Sequence, residues 1–293
     1  MRMTRGLTFL LLLLAAAALS AGWLQQRARA SVAELITTLR PHLLLRYDQL
    51  IAWPPGGVRL IGVTLEPVGA WRTRLALPVG FRLEAEELML LPLPSTDAGP
   101  VELQFQLRGL SATVPREHPH YALLADSGHD RFTGTLTAQL QWQPDRRQFV
   151  LDGDLQSLGV GRLDMAVALT AGPRFPAPVM DGTTLQHLAL TWRDHGLLRD
   201  VKQTLALRQQ APLRRWELDL LRELDSTARQ QAWAWQPEDA AALRGFIREP
   251  DALSVTLAPL TPVRLDNLPL YAPGDYWGLL GVQLTAPPPA TLP

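Results

Sequence analysis

The sequence predicts a mainly β fold of the α+β class, an antiparallel multi-stranded sheet with an N-terminal transmembrane helix before it and a C-terminal helix cluster packed on it. Three features carry that expectation. An uncharged apolar run stands at the start, apolar and polar residues alternate from Val58 to Trp192, and the apolar spacing turns helical past Asp194. The chain divides accordingly. Residues 1–27 read as a cytoplasmic start and signal anchor, 28–50 as an amphipathic helix, 51–192 as the sheet, 193–285 as helices with a closing strand, and 286–293 as a disordered proline-rich tail.

Arg2 and Arg5 precede Gly6–Leu24, a run of 19 residues rich in Leu and Ala that carries no charge and includes Trp23 near its end. At about 1.5 Å per helical residue such a run approaches the roughly 30 Å of bilayer hydrocarbon. Two readings compete. A cleaved secretory signal would use the small residues of Ala18-Leu19-Ser20; an uncleaved anchor would place Trp23 at the interface with Arg27 and Arg29 beyond it. The length of the run favours the anchor. Either reading keeps the basic start in the cytoplasm, so the expectation is a single-pass inner-membrane protein with most of its chain in the periplasm.

Val32, Leu35, Ile36 and Leu39 then fall at helical spacing, which gives one apolar face. Pro41 should kink or end that helix, and Leu43-Leu44-Leu45 continues the apolar patch. Strands are predicted at Val58–Leu65 and Phe81–Leu90. The clearest alternation is Val101 to Leu107, where Val101, Leu103, Phe105 and Leu107 are apolar and Glu102, Gln104 and Gln106 are polar. Phe132–Trp142, Phe149–Gln156, Leu163–Leu169 and Leu185–Trp192 repeat the pattern. Strict alternation marks half-buried antiparallel strands with one dry and one wet face. Pro144-Asp145-Arg146-Arg147, and then Gly159 and Gly161, supply the turns of a meander. Leu91–Pro100, Ser111–Asp130 and Ala171–Met180 read as irregular connections.

Past Asp194, a plausible helix cap, Leu197, Leu198, Val201 and Leu205 share one face. A second helix begins near Pro212 and runs to about Ala232, a third spans Pro237 to Ile247, and Leu253, Val255 and Leu257 form a closing strand.

Composition excludes several kinds of chemistry. The 28 basic and 28 acidic side chains balance, which argues against a nucleic-acid partner that would need a basic surface. The absence of cysteine excludes disulfides, thiolate metal sites and a cysteine nucleophile. Lys202 is the sole lysine. No glycine-rich phosphate loop, nucleophile elbow or zinc-protease motif occurs. The densest cluster of candidate ligands is Glu117, His118, His120, Asp126, His129 and Asp130. Imidazoles and carboxylates of this kind can bind zinc, but His118 and His120 flank Pro119 in a polar loop, and a solvated loop is the expectation. His187 on a strand and His195 at a helix start are expected to be structural. Asp152 and Asp154 point together to the wet face, where paired carboxylates can serve acid–base chemistry but more often only solubilise. Trp233 and Trp235 could bind sugar or lipid from one side of an extended segment; core filling is the expectation. No catalytic, metal or cofactor residue is assigned.

Tyr47 and the phrase Gly56-Gly57-Val58-Arg59-Leu60-Ile61-Gly62-Val63-Thr64-Leu65, following an N-terminal membrane helix and an amphipathic helix, resemble the opening of AsmA-like proteins, which are anchored in the bacterial inner membrane. The strand repertoire through Leu169 is also similar, and Leu188–Leu198 resembles a strand-to-helix junction of related families. The resemblance covers about half the chain, and the Leu197–Ile247 helices depart from it. It implies a curved sheet with an apolar concave face used in lipid handling or envelope assembly, and it carries over no catalytic residue.

The expected function is therefore non-enzymatic, with an apolar sheet groove for lipid acyl chains or an envelope protein partner and with the membrane as anchor. A scaffold without lipid is the first alternative, and a metal-dependent envelope hydrolase built on His118–Asp130 the second.

Overall fold

The alternating segments form one twelve-stranded, wholly antiparallel sheet in the computed structural model, which describes residues 22–286 apart from 54–55, 75–76, 79, 93–100, 171–181, 234 and 273. Helix α1 (residues 22–39) leads into β1 (Leu43–Arg46), β2 (Gln49–Trp53), β3 (Gly57–Pro67), the short α2 (Gly69–Arg74), β4 (Leu83–Leu91) and β5 (Val101–Thr113). A short helix α3 (Tyr121–Asp126) precedes β6 (Arg131–Gln143), β7 (Gln148–Ser157), β8 (Gly161–Thr170) and β9 (Thr184–Asp194). Helices α4 (Leu197–Arg208), α5 (Leu213–Gln230) and α6 (Pro237–Arg248) follow, then β10 (Ala252–Leu257), β11 (Val263–Arg264), α7 (Asp275–Leu280) and β12 (Val282–Thr285). From β3 to β10 every strand pairs with its sequence neighbours; β1 and β2 share the outer side of β3, and β10 and β11 share one side of β9.

Register turns the alternation into two continuous faces. Ala52, Val58, Leu90, Phe105, Ala138, Gly153, Met165, Leu190, Val255 and Leu284 lie opposite one another in one row across the sheet. Directly opposed residues share a face, so this row belongs wholly to the apolar side. Between it and its neighbours run polar rows on the other side, such as Gln104, Gln139, Asp152, Ala166, Ala189, Thr256 and Gln283.

A crease crosses the first four pairing positions. At Tyr47–Asp48 the edge strand breaks into β1 and β2, Gly62 of β3 and Gly109 of β5 take positive φ (63° and 59°), and β5 bulges against β6 between Leu107 and Leu110. Glycine tolerates that left-handed backbone where a side chain would be strained. The crease shifts the phase by one residue, so Leu60 and Val63, three apart, both enter the same buried cluster.

Two apolar clusters form the core, the second of them around three buried residues with partly buried neighbours. In one, Ala28 and Val32 of α1 pack on Leu45, Leu50, Val58, Leu60, Val63, Ala85, Leu88, Leu90 and Leu107. The other gathers Leu185, Val263 and Leu280 with Leu188, Leu257, Leu268, Tyr276 and Val282. The C-terminal helices reach the sheet at its far edge, where α6 packs on β10 and β12 and α7 on β12.

Helices also seal the sheet's edges. The Gln25 side-chain amide of α1 donates to the Leu50 carbonyl (2.7 Å) and accepts from the Ala52 N–H (2.8 Å), as a residue of an added parallel strand would. On the opposite edge the Asp239 carboxylate of α6 accepts the Leu284 N–H of β12 at 2.6 Å. Unpaired edges template association with other chains, and covering them prevents it.

Several expectations change. The amphipathic helix does not run on to residue 50: it ends at residue 39, because Pro41 lacks an N–H and its ring clashes with the preceding turn. Leu43–Leu45 is strand, with Leu45 opposite Leu65, so the sheet starts at residue 43 rather than 51. The loop expected at Ser111–Asp130 gives its first residues to β5 and its middle to α3. The closing strand is followed by β11 and β12. No helix among the described residues is long and apolar enough to cross a membrane. The anchor expectation rests on Gly6–Leu24, of which residues 6–21 lie outside the described residues, as do residues 287–293 of the tail and most of Leu91–Pro100 and Ala171–Met180.

Candidate functional site

The two faces of the central strands offer different surfaces. On the polar face a recess of about 540 Å³ spans β5 to β9, with Gln104, Gln139, Asp152, Asp154, Asp164 and Thr191 around a floor that includes Ala166 and Ala189. Its charges are largely matched internally. Arg162 lies 2.6 Å from Asp154 and 2.9 Å from Asp164, and the hydrogen bond to Asp164, with the field of both carboxylates, holds its guanidinium above the ordinary arginine range. Asp152 and Asp154 thus do point to one face, as their spacing implies. There Asp154 serves Arg162 and accepts from the Gln156 side chain (2.9 Å).

On the apolar face, Leu140, Leu151, Leu155, Leu163, Val167 and Leu190 are only partly buried and join neither buried cluster. Leu140 faces Leu151, Leu151 faces Val167, and Leu155 faces Leu163, so these five form a strip along β6, β7 and β8, with Leu190 of β9 opposite Met165 beside it. The recess described above lies on the side opposite to the concave apolar face that the AsmA-like resemblance implies.

The histidine-rich loop does not assemble a metal centre, and among the described residues no group of three or more histidines and carboxylates is placed to hold an ion. His118 and His120 stay together, with the His118 ring nitrogen accepting the His120 N–H (3.2 Å). His129 is buried and turns to α4, where its Nε2 lies 3.1 Å from Asp200. Asp126 pairs with Arg208, also of α4. The loop's charged groups therefore dock α3 on α4. His187 stands on β9, and the His195 N–H donates to Val160 at the start of α4 (3.1 Å). Asp194 accepts the Leu198 N–H (3.0 Å) and so caps that helix.

Three groups were not legible as a set. Trp233 stacks on Trp277 (5.4 Å between ring centroids, 16° between planes), and Trp235 meets both edge-on at 5.6 and 5.8 Å. Rings this close leave no room for a ligand between them and form a packed triad. Asp239, 4 % exposed, accepts the Gln236 N–H as a helix cap (2.9 Å) besides binding Leu284. Lys202, 8 % exposed, donates to the Ile247 and Arg248 carbonyls (2.6 and 2.9 Å) and pairs with Glu217 at 2.5 Å. All its donors are used in binding α4, α5 and the C-terminal end of α6 together, which leaves none for chemistry.

Among the described residues, then, the molecule is an open antiparallel-sheet protein with two contrasting faces, its charged clusters spent on internal docking. Residues 95–287 match the model of a family described as "Uncharacterized protein", and the chain belongs to that family. The match takes in β5 to β12 with all the C-terminal helices. No curated protein matches the chain.

Proposed function

We propose that this is a non-enzymatic, membrane-tethered protein of the cell envelope that handles lipid, akin to the AsmA-like proteins its opening resembles, with acyl chains laid along the apolar strip of β6 to β8. The observation that supports it is that strip: a contiguous row of partly exposed Leu and Val side chains outside both buried clusters. These strands are 13, 10 and 10 residues long. The strip covers five residues of each of the last two, Leu151–Leu155 and Leu163–Val167, with Leu140 beside Leu151; at about 3.3 Å per residue and 4.8 Å between strands it is roughly 15 Å long and about 10 Å wide. Part of an extended acyl chain fits along such a surface and removes its apolar area from water. The uncharged run Gly6–Leu24 would hold the sheet beside a source of lipid.

The test is native mass spectrometry with lipid extraction on the full chain, purified from membranes in mild detergent. Phospholipid should co-purify at fixed stoichiometry and be lost from a Leu151→Gln, Val167→Thr double variant that keeps its circular dichroism spectrum. A folded protein free of lipid would overturn the reading in favour of a scaffold for an envelope complex, for which crosslinking would identify the partner.

A further inference from the structure

The corner of the sheet where α1 begins has its own chemistry. Gln25 clamps α1 to β2 through both halves of its amide, so residues 22–25 of the helix lie beside the β2–β3 hairpin, while its other end leads through His42 into β1. Two tryptophans flank the clamp. Trp23, two residues before Gln25, is 58 % exposed, and Trp53, next to Ala52, is 44 % exposed. The Arg27 guanidinium sits 5.5 Å from the Trp23 ring centroid, and Arg29 is also exposed. Residues 22–33 and 49–58 include no acidic side chain, but Asp48 lines the recess that holds Gln25 and Arg29.

Exposed tryptophan beside an exposed arginine suits the headgroup region of a bilayer, where an indole takes an interfacial position and cations attract anionic lipid. We propose that the turn end of the β2–β3 hairpin, through Trp53, rests on the same bilayer surface from which α1 departs. The chain then meets the membrane at two points, and the Gln25 clamp fixes the tilt of the sheet above it. This inference rests on the tether in the preceding reading. The occupant is an anionic phospholipid surface: Arg27 stands exposed over Trp23 at this corner, while Arg29 shares its recess with Asp48, and the uncharged run that precedes Gly22 leads to this corner and to no other.

The absence of cysteine allows a single label at any chosen site. Full-length Trp53→Cys and Leu158→Cys proteins, each carrying a nitroxide, are placed in phosphatidylcholine–phosphatidylglycerol vesicles. Leu158, 92 % exposed, lies in the turn after β7, at the other end of the strands. Accessibility to oxygen should exceed accessibility to a water-soluble nickel chelate at position 53 and fall below it at position 158. Flotation after an alkaline wash reads the tether separately. Protein that floats while position 53 is as aqueous as position 158 overturns the second contact and leaves the tether standing. Protein that washes off overturns both. Gln25→Ala should return position 53 toward the aqueous ratio without loss of flotation; an unchanged ratio would remove the clamp from the proposal.

Discussion

The two edges of the sheet solve one problem with different side chains. At β2 a neutral amide does the sealing; at β12 a carboxylate does. An amide both donates and accepts, so Gln25 satisfies a carbonyl and an N–H at once. A carboxylate only accepts, so Asp239 satisfies N–H groups alone, one on the strand and one at the start of its own helix. The helix dipole accounts for part of the difference. Asp239 stands in the first turn of α6, where the positive end of the helix stabilises an anion. Gln25 must instead bridge a strand carbonyl and a strand N–H, and for that task a charge would be the wrong tool. The lesson is that a helix beside a sheet edge can close it with one side chain, chosen by which backbone groups point outward.

Variants should break this pair unequally. The largest loss is expected for Lys202→Ala, which leaves the partly buried Glu217 without its cation and frees the end of α6. We expect about 3–5 kcal/mol by denaturant unfolding. Asp239→Ala should follow at about 3 kcal/mol, since it strips charged hydrogen bonds from a buried N–H and a helix cap. Asp239→Asn keeps an acceptor and should lose roughly half of that. Gln25→Ala should cost about 1–2 kcal/mol, with a gain in self-association on size exclusion as the β2 edge opens. A Gln25→Glu variant that matched the wild type would refute the amide argument, because a carboxylate cannot donate to Leu50.

The smallest effect is a dependence on pH at the β11 end. The Arg264 hydrogen bond, with the Gly182 N–H, holds the Asp266 carboxyl below the ordinary carboxylate range. A lowered value means that the folded state favours the ionised form. Its contribution is therefore complete above the ordinary carboxylate range and is lost as pH falls through the lowered value. The difference in melting temperature between wild type and Asp266→Asn should be small at neutral pH and vanish in acid.

Local periodicity made the meander readable. From β5 to β10 the apolar positions set strands and faces together, and Gln104 and Phe105 do fall on opposite sides. The edge was not readable, because β1 and β2 are short, break at the crease and begin with three consecutive leucines that lack alternation. β12 is equally short. The side chains that organise the molecule were hidden for a different reason. Asp239 reads as a helix cap from Gln236, but its strand partner is 45 residues away; His129 and Asp200 are 71 apart. Trp277 likewise joins Trp233 and Trp235 only through the fold. Nothing in local spacing encodes such partners.

The neighbour-only pairing of β3 through β10 has a consequence for cooperativity. Each of these strands depends mainly on the two beside it, so that part of the molecule resembles a one-dimensional array in which order can start at any hairpin and spread both ways. An array of that kind has no intrinsic length. Terminators set it, as capping repeats do in solenoids. In this chain the terminators are α1 and α6, each packed on the end of the sheet and hydrogen-bonded to the backbone of a terminal strand by one side chain, and the number of strands is what lies between them.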